Sequence, residues 1–278
     1  MTLFSHCPVC DGTDRSTYVA FDALEFVQCR GCDTVYKSRE VPNALPPDFY
    51  ERGYFEGRKS GREKRFAHRS RKAASWVSDA ADLLPDGKGR LLDVGCSLGY
   101  VLEGARREGL TSAGVDVSAH AVSVCVGRGY EAKVGTIDAI PYEDAAFDVV
   151  VLKHVLEHTP TPKGALAEVK RVLGPSGVVL VALPDVHYWK GDRQRETYRY
   201  YRPDDLGTQH FVYYSTASLT RLLTDAGFHV RSTSKAVFRR RRWVVWEAVR
   251  FAALSVWAFL GRTTKLQQEL YVIATRGN

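Results

Sequence analysis

Beyond Arg90 the chain repeats one pattern, a short apolar run followed by a longer stretch whose apolar positions recur at helical spacing. Residues 91–94, 112–117, 147–152 and 178–183 are such runs, and none shows the clean apolar-polar alternation of a strand with one wet face. Strands apolar on both sides belong in a sheet covered on both faces, so parallel strands joined by crossover helices are expected. Helices are expected over 100–108 and 216–226, and a final pair of strands over 229–237 and 269–275. The fold class is α/β, doubly wound.

The segment ahead of this sheet has a different character. Four of the six cysteines fall as Cys7-Pro-Val-Cys10 and Cys29-Arg-Gly-Cys32, a C-x2-C-x18-C-x2-C spacing in the range of zinc sites. Two such turns can aim four thiolates at one point, and a closed tetrahedral set leaves no position for a reacting water, so the Zn2+ is expected to be structural. About 40 residues bury too little apolar surface to fold unaided, and zinc would supply the deficit. A redox dithiol or a nucleic-acid-reading ribbon are the other uses of the same spacing. The expected organisation is a zinc ribbon over 1–40, a proline-containing linker and N-terminal helix over 41–84, and the sheet domain over 85–278.

Hydrophobic residues make up 45% and charged residues 26%, ordinary globular usage that excludes a wholly disordered or coiled-coil chain. Lys and Arg number 39 against 32 Asp and Glu, a net charge of +7 concentrated at 58–72 and 239–242. Such runs suit an anionic partner or a solvated face. The first ten residues carry no apolar core of a signal peptide, so a cytoplasmic location with reduced thiols is expected.

The run Leu91-Leu92-Asp93-Val94-Gly95-Cys96-Ser97-Leu98-Gly99 reads as a strand, a glycine turn and a helix start. Gly95 and Gly99 let backbone approach a ligand at the carboxyl edge of the sheet. The next strand ends in Gly114-Val115-Asp116, placing an acid 23 residues after Asp93, where it can hold both hydroxyls of a ribose. The turn lacks G-x-G-x-x-G, and nothing in it suggests a pyrophosphate cradle. With "FDVVVLKHVLEHTPTP" and "RVLGPSGVVLVALP" following, the chain resembles class I S-adenosylmethionine-dependent methyltransferases over about 90–276. The resemblance implies a Rossmann-like sheet of seven strands and S-adenosyl-L-methionine as cofactor. It places Asp93, Gly95, Cys96 and Gly99 at the methionine part, Asp116 and Val117 at the ribose, and Thr136 and Ile137 beside adenine. Ser97 stands where a middle glycine is usual, and Thr136 where many members carry Asp.

His154-Val155-Leu156-Glu157-His158 matches the letters of a zinc-peptidase signature, but Pro160 and Pro162 deny it the continuous helix that such a site needs. The resemblance instead places this strand exit beside the transferred methyl. There His154, Glu157 and His158 could serve as general base, bind a divalent metal, or only fix the turn, and His210, before "SLTRLLTDAGF", is a second base candidate.

A segment over 184–215 is rich in rings and arginines, suited to a sugar or an anionic group. The stretch 239–261 pairs four arginines with an apolar run interrupted by Glu247 and Arg250; it fits an amphipathic helix, lying peripherally on the inner membrane face or packing in a homodimer. The expected activity is O-methylation of a sugar hydroxyl on a glycan, nucleotide-sugar or lipid-linked precursor, with a small-molecule or glycan acceptor as partner. An RNA base methyltransferase, with nucleic acid as partner, and a noncatalytic scaffold are the alternatives.

Overall fold

The computed structural model describes residues 3–21, 24–39, 62–186, 210–235 and 269–277. Strands β1 (Arg15–Phe21), β2 (Leu24–Cys29) and β3 (Val35–Lys37) form an antiparallel meander, and helix α1 (Arg62–Ala81) leads into the main sheet. There β4 (Arg90–Val94), β5 (Thr111–Asp116), β6 (Glu131–Val134), β7 (Phe147–Lys153) and β8 (Leu173–Pro184) run parallel. The crossovers include α2 (Tyr100–Arg107), α3 (Ala119–Gly127) and α4 (Pro162–Val172). After β9 (Val212–Tyr213) and α5 (Thr216–Asp225), β10 (Phe228–Lys235) and β11 (Glu269–Arg276) close the edge, with β11 antiparallel to both β10 and β8.

The resulting seven-stranded order is β10-β11-β8-β7-β4-β5-β6. The chain leaves β4 toward β5 on one side and later returns to β7 on the other, so the strand order reverses at β4 and a crevice opens beyond its carboxyl end. The apolar strand pattern has its cause in the packing. Leu92, Val94, Val150, Leu152, Val179 and Val181 pack into one buried cluster, while Leu91, Val149, Val151, Val178 and Leu180 pack into another with Trp76, Val77 and Ala80 of α1.

Helix α1 lies tightly on α2 because Gly104 has no side chain. A Cβ there would sit 2.8 Å from the backbone nitrogen of Ala74 and 3.0 Å from the Ala73 Cβ. The cations of α1 are partly spent on rings: Arg69 lies over Tyr100 at 5.0 Å and Lys72 over Trp76 at 5.3 Å.

The amino-terminal meander is joined to the sheet domain through a strand of its own. β9 pairs antiparallel with β3, Val35 opposite Tyr213 and Tyr36 opposite Val212, giving a four-stranded order β1-β2-β3-β9. Cys7, Val9, Val27, Cys29 and Tyr36 share one buried cluster with Leu156, Leu166, Leu183 and Tyr214, and Lys163 pairs with Asp11 at 2.5 Å. This corrects part of the reading of 184–215: Tyr213 and Tyr214 are buried packing residues, because that stretch supplies a strand. Residues 187–209 and the amphipathic stretch 239–261 lie outside the described residues. Among the described residues, no helix is long and apolar enough to cross a membrane.

The α1–α2 contact generates a prediction. Gly104→Val should lower the unfolding free energy by about 1–3 kcal/mol in urea titration, since the branched side chain meets backbone that cannot move aside cheaply. Gly127→Ala, at an open helical position, should be neutral or slightly stabilising.

Candidate active site

The turn after β4 is shaped by positive φ angles at Gly95 (71°), Ser97 (50°) and Gly99 (84°), the last capping α2. The N–H groups of Gly95 and Cys96 both donate to the Val115 carbonyl, at 2.7 and 3.0 Å. Asp116 straps the turn from the neighbouring strand: its carboxylate accepts the Ser97 N–H at 2.7 Å and the Ser118 N–H at 2.9 Å. That bond offsets the left-handed backbone cost at Ser97, where sequence reasoning expected a glycine. A Cβ on Gly95 would lie 2.6 Å from Val155 Cγ2, so the turn and the exit of β7 are in contact.

Asp93 is buried at the root of this turn. Burial, reinforced by the nearby Asp116 charge, pushes its carboxyl well above the usual range. Cys96 faces inward onto Leu102 and Cys125, and Gly114 makes room for it, so its backbone alone borders the crevice. Val117 and Thr136 are exposed beyond β5 and β6, while Ile137 belongs to the core. Gly95, Gly99, Asp116 and Val117 thus lie at the carboxyl ends of β4 and β5, Thr136 follows β6, Asp93 is buried within β4, and the side chains of Cys96 and Ile137 belong to buried clusters.

At the exit of β7, His154 adopts a left-handed φ of 54° and donates its N–H to the Ala182 carbonyl at 2.8 Å. Its ring lies between two carboxylates: Nδ1 is 3.2 Å from Glu157 Oε1 and Nε2 is 3.0 Å from Glu269 Oε1. Carboxylates only accept, so both nitrogens are donors in this arrangement. Burial works against the charged ring, but the two carboxylates outweigh it and raise its pKa. Glu269 also receives Lys153 at 3.2 Å. Burial would push the Glu269 carboxyl up, but His154 and Lys153 hold it at about 2.

Glu157 is 1% exposed, and its Oε2 has no hydrogen-bond partner among the described residues. Burial would push its pKa up, yet the His154 bond and the neighbouring imidazoles bring it below the usual carboxylate range. His158 and His210 meet edge to face at 4.6 Å between ring centres. Glu157, His158 and His210 each offer one ligand atom, all within 4.8 Å of one another, close enough to share one divalent cation. His154 is outside that group, held by its two carboxylates. The H-x-x-E-H letters therefore do not act together, because the segment is a left-handed residue followed by a single 3-10 turn, Leu156–His158. Burial pushes His210 down to about 4, leaving it neutral at physiological pH, and its Nδ1 has no partner among the described residues.

His210 is seated by main-chain bonds through its neighbour. The Phe211 N–H donates to the Glu157 carbonyl at 2.7 Å, and the Phe211 carbonyl accepts the Lys37 N–H of β3 at 3.0 Å. The Lys37 side chain is 4% exposed, with its ammonium 4.9 Å from the centre of the Phe211 ring, and burial lowers its pKa to about 8. Sequence reasoning missed Lys37 and Glu269. Each is one charge at a strand end, and no local spacing ties either to the histidines.

Cys7, Cys10, Cys29 and Cys32 converge in the amino-terminal module, with Cys7–Cys32 and Cys10–Cys29 sulfur pairs at 3.5 Å. The two halves fold alike: the Asp11 and Asp33 N–H groups donate to the carbonyls of Cys7 and Cys29, both at 2.9 Å, and both aspartates have positive φ.

Comparison with known proteins agrees with this geometry. The chain is 30% identical over 207 residues to a Mycolicibacterium smegmatis protein named "Probable S-adenosylmethionine-dependent methyltransferase", covering 69% of each chain. It is 28% identical over 156 residues to a ubiquinone biosynthesis O-methyltransferase of Paracidovorax citrulli, and 36% identical over 111 residues to one of Thiobacillus denitrificans. It spans 64% and 47% of those proteins' lengths, and the matches cover 48% and 37% of this chain. The 1,6-didemethyltoxoflavin-N1-methyltransferase of Burkholderia thailandensis shares the fold at a TM-score of 0.53 and 14% identity, over 88% of this chain and 96% of that one. A SAM-dependent methyltransferase of Thermotoga maritima does so at 0.52 and 19%, over 77% and 95%. Residues 65–233 match a methyltransferase-domain family, and the chain belongs to it as an S-adenosylmethionine-dependent methyltransferase.

Proposed function

We propose that this enzyme methylates a hydroxyl oxygen of a small acceptor, a sugar hydroxyl on a glycan, nucleotide-sugar or lipid-linked precursor, and that its ribbon carries one structural zinc. The observation that carries the O-methylation reading is two buried atoms without a hydrogen-bond partner among the described residues, Glu157 Oε2 and His210 Nδ1, beyond the carboxyl end of β7. An amine needs little help to attack a methyl cation equivalent, whereas a hydroxyl must give up its proton as the bond forms. A neutral His210 can take that proton, and the Glu157 carboxylate stabilises the imidazolium that results. His154 positions Glu157. The ubiquinone relatives are themselves named O-methyltransferases. The sugar rests on the sequence of 184–215, with Tyr188, Trp189, Tyr198, Arg199 and Tyr200.

The crevice suits S-adenosylmethionine: Gly95 presents exposed backbone where a Cβ has no room, and Val117 offers an apolar surface next to the acid of β5. When bound, the cofactor supplies an electrophilic methyl group on a sulfonium. Asp116 would accept the ribose hydroxyls, the Gly95–Gly99 turn would face the methionine portion, and Val117 and Thr136 would flank the adenine. Proximity and alignment do most of the remaining work. The four thiols suit zinc as well, since a tetrahedron with Zn–S bonds of about 2.3 Å has edges of about 3.8 Å.

Transfer of isotopically labelled methyl from the cofactor to a panel of sugars, nucleotide-sugars and lipid-linked sugars, read by mass, tests the acceptor class. Asp116→Ala should weaken S-adenosylhomocysteine binding roughly 10- to 100-fold by calorimetry, the range of a charge-assisted hydrogen bond. Glu157→Gln should leave that affinity within twofold while lowering kcat by about 100-fold or more. The same affinity loss in both variants would contradict the division of labour.

Elemental analysis should find one zinc per chain, and its removal by chelation should lower the Tm. The acid limb of stability should be set in part by Glu269. Its pKa is about 2 in the fold and 4.5 ordinarily, so its contribution is complete above pH 4.5 and is lost as pH falls toward 2. Urea titrations at pH 6 and pH 3 should show the native protein losing about 2 kcal/mol more than Glu269→Gln between them.

A further inference from the structure

We propose that Lys37 recognises an anionic group, a carboxylate or a phosphate, on the acceptor, so that the ribbon supplies one wall of the methyl-transfer site. The inference rests on the methyltransferase reading of the crevice and adds the charge class of its second substrate.

A lysine on a sheet normally carries its ammonium out to water along its apolar stem. Lys37 is only 4% exposed as a residue, and its ammonium makes no hydrogen bond or ion pair among the described residues. The acid nearest in register is already used. Glu25, beside Phe26 opposite Lys37, accepts the hydroxyls of Ser38 and Thr17 and pairs with Arg39 at 3.7 Å. What remains for Lys37 is the face of Phe211, at 4.9 Å. A cation over a ring recovers less than burying an unpaired ammonium costs. A largely buried charge without a counterion among the described residues suits a counterion that arrives with a ligand.

The position supports this use. The Lys37 main chain bonds to Phe211, the neighbour of His210, and its charge is among those acting on the His210 ring. On the same ribbon, Phe26, Val35 and Tyr213 cluster with Val186, and the Tyr213 ring lies 5.2 Å from that of His210. Apolar side chains and rings with one convergent charge have the composition of a small-molecule site. A nucleic-acid surface would instead show a row of exposed cations.

The test titrates three matched probes, benzoate, phenyl phosphate and benzyl alcohol, into the full-length enzyme saturated with S-adenosylhomocysteine. At least one anion should bind about tenfold or more tightly than the alcohol, and whichever anion binds tighter identifies carboxylate or phosphate as the natural group. Lys37→Gln should reduce that preference to less than twofold, and Lys37→Arg should retain most of it, with S-adenosylhomocysteine affinity within twofold in both. Equal binding of all three probes, or a preference that survives Lys37→Gln, overturns the proposal while leaving the methyltransferase reading intact. Failure of the native enzyme to bind S-adenosylhomocysteine overturns both. Should Lys37→Gln not fold, acetylation of Lys37 in the native protein, followed by mass spectrometry, decides: slowing by the anions and not by the alcohol supports the proposal, and equal rates overturn it.

Discussion

The peptide groups of one residue, Phe211, hold the two parts of the molecule in register. Its N–H is bonded to the turn that carries Glu157, and its carbonyl to the ribbon strand that carries Lys37. Main-chain bonds of this kind fix position to a few tenths of an ångström, whereas side-chain packing alone tolerates sliding. Through them His210 stands against His158 and Glu157, both more than 50 positions earlier in the chain. The chemistry expected of the site depends on that seating, because burial lowers the His210 pKa and the Glu157 carboxylate beside it works against that lowering.

The glycine turn works by a complementary constraint. Positive φ at Gly95 and Gly99, and the bond from Ser97 to Asp116, shape the backbone at the carboxyl end of β4, the strand that pairs with both β5 and β7. The carboxylate proposed to hold a ribose already organises the turn, by accepting the Ser97 and Ser118 N–H groups. At the exit of β7, Lys153, Glu269, His154 and Glu157 alternate in charge. Each is buried or half-buried; the neighbouring charges raise the His154 pKa and lower those of Glu157 and Glu269 against burial, while burial lowers that of Lys153 despite Glu269.

Much of this could be read in the sequence because it is local. Asp93, Gly95, Gly99 and Asp116 lie within two strand-to-helix turns, and their spacing follows from strand length. Both-faced burial made the strands apolar throughout, and the cysteine pairs announced a common centre. What could not be read depends on long-range pairing. Glu269 reaches His154 across 115 positions because β11 inserts beside β8, and no pattern near residue 269 encodes that. Tyr213 and Tyr214 looked like ligand-facing rings because two residues are too few to show a strand period. The H-x-x-E-H letters misled for the opposite reason: their spacing has meaning on a helix, and the backbone there is a turn.

The merging of the ribbon's interior with that of the sheet domain bears on how the chain can be divided. Tyr36, Val27 and Val9 form part of the lid over Leu156, Leu183 and Tyr214, so a shortened chain beginning at α1 would leave an oily surface bare and one short strand without its partner. A naked strand edge next to exposed apolar side chains invites self-association. The amino-terminal module is therefore a built-in cover, and a catalytic fragment lacking it would be prone to clump.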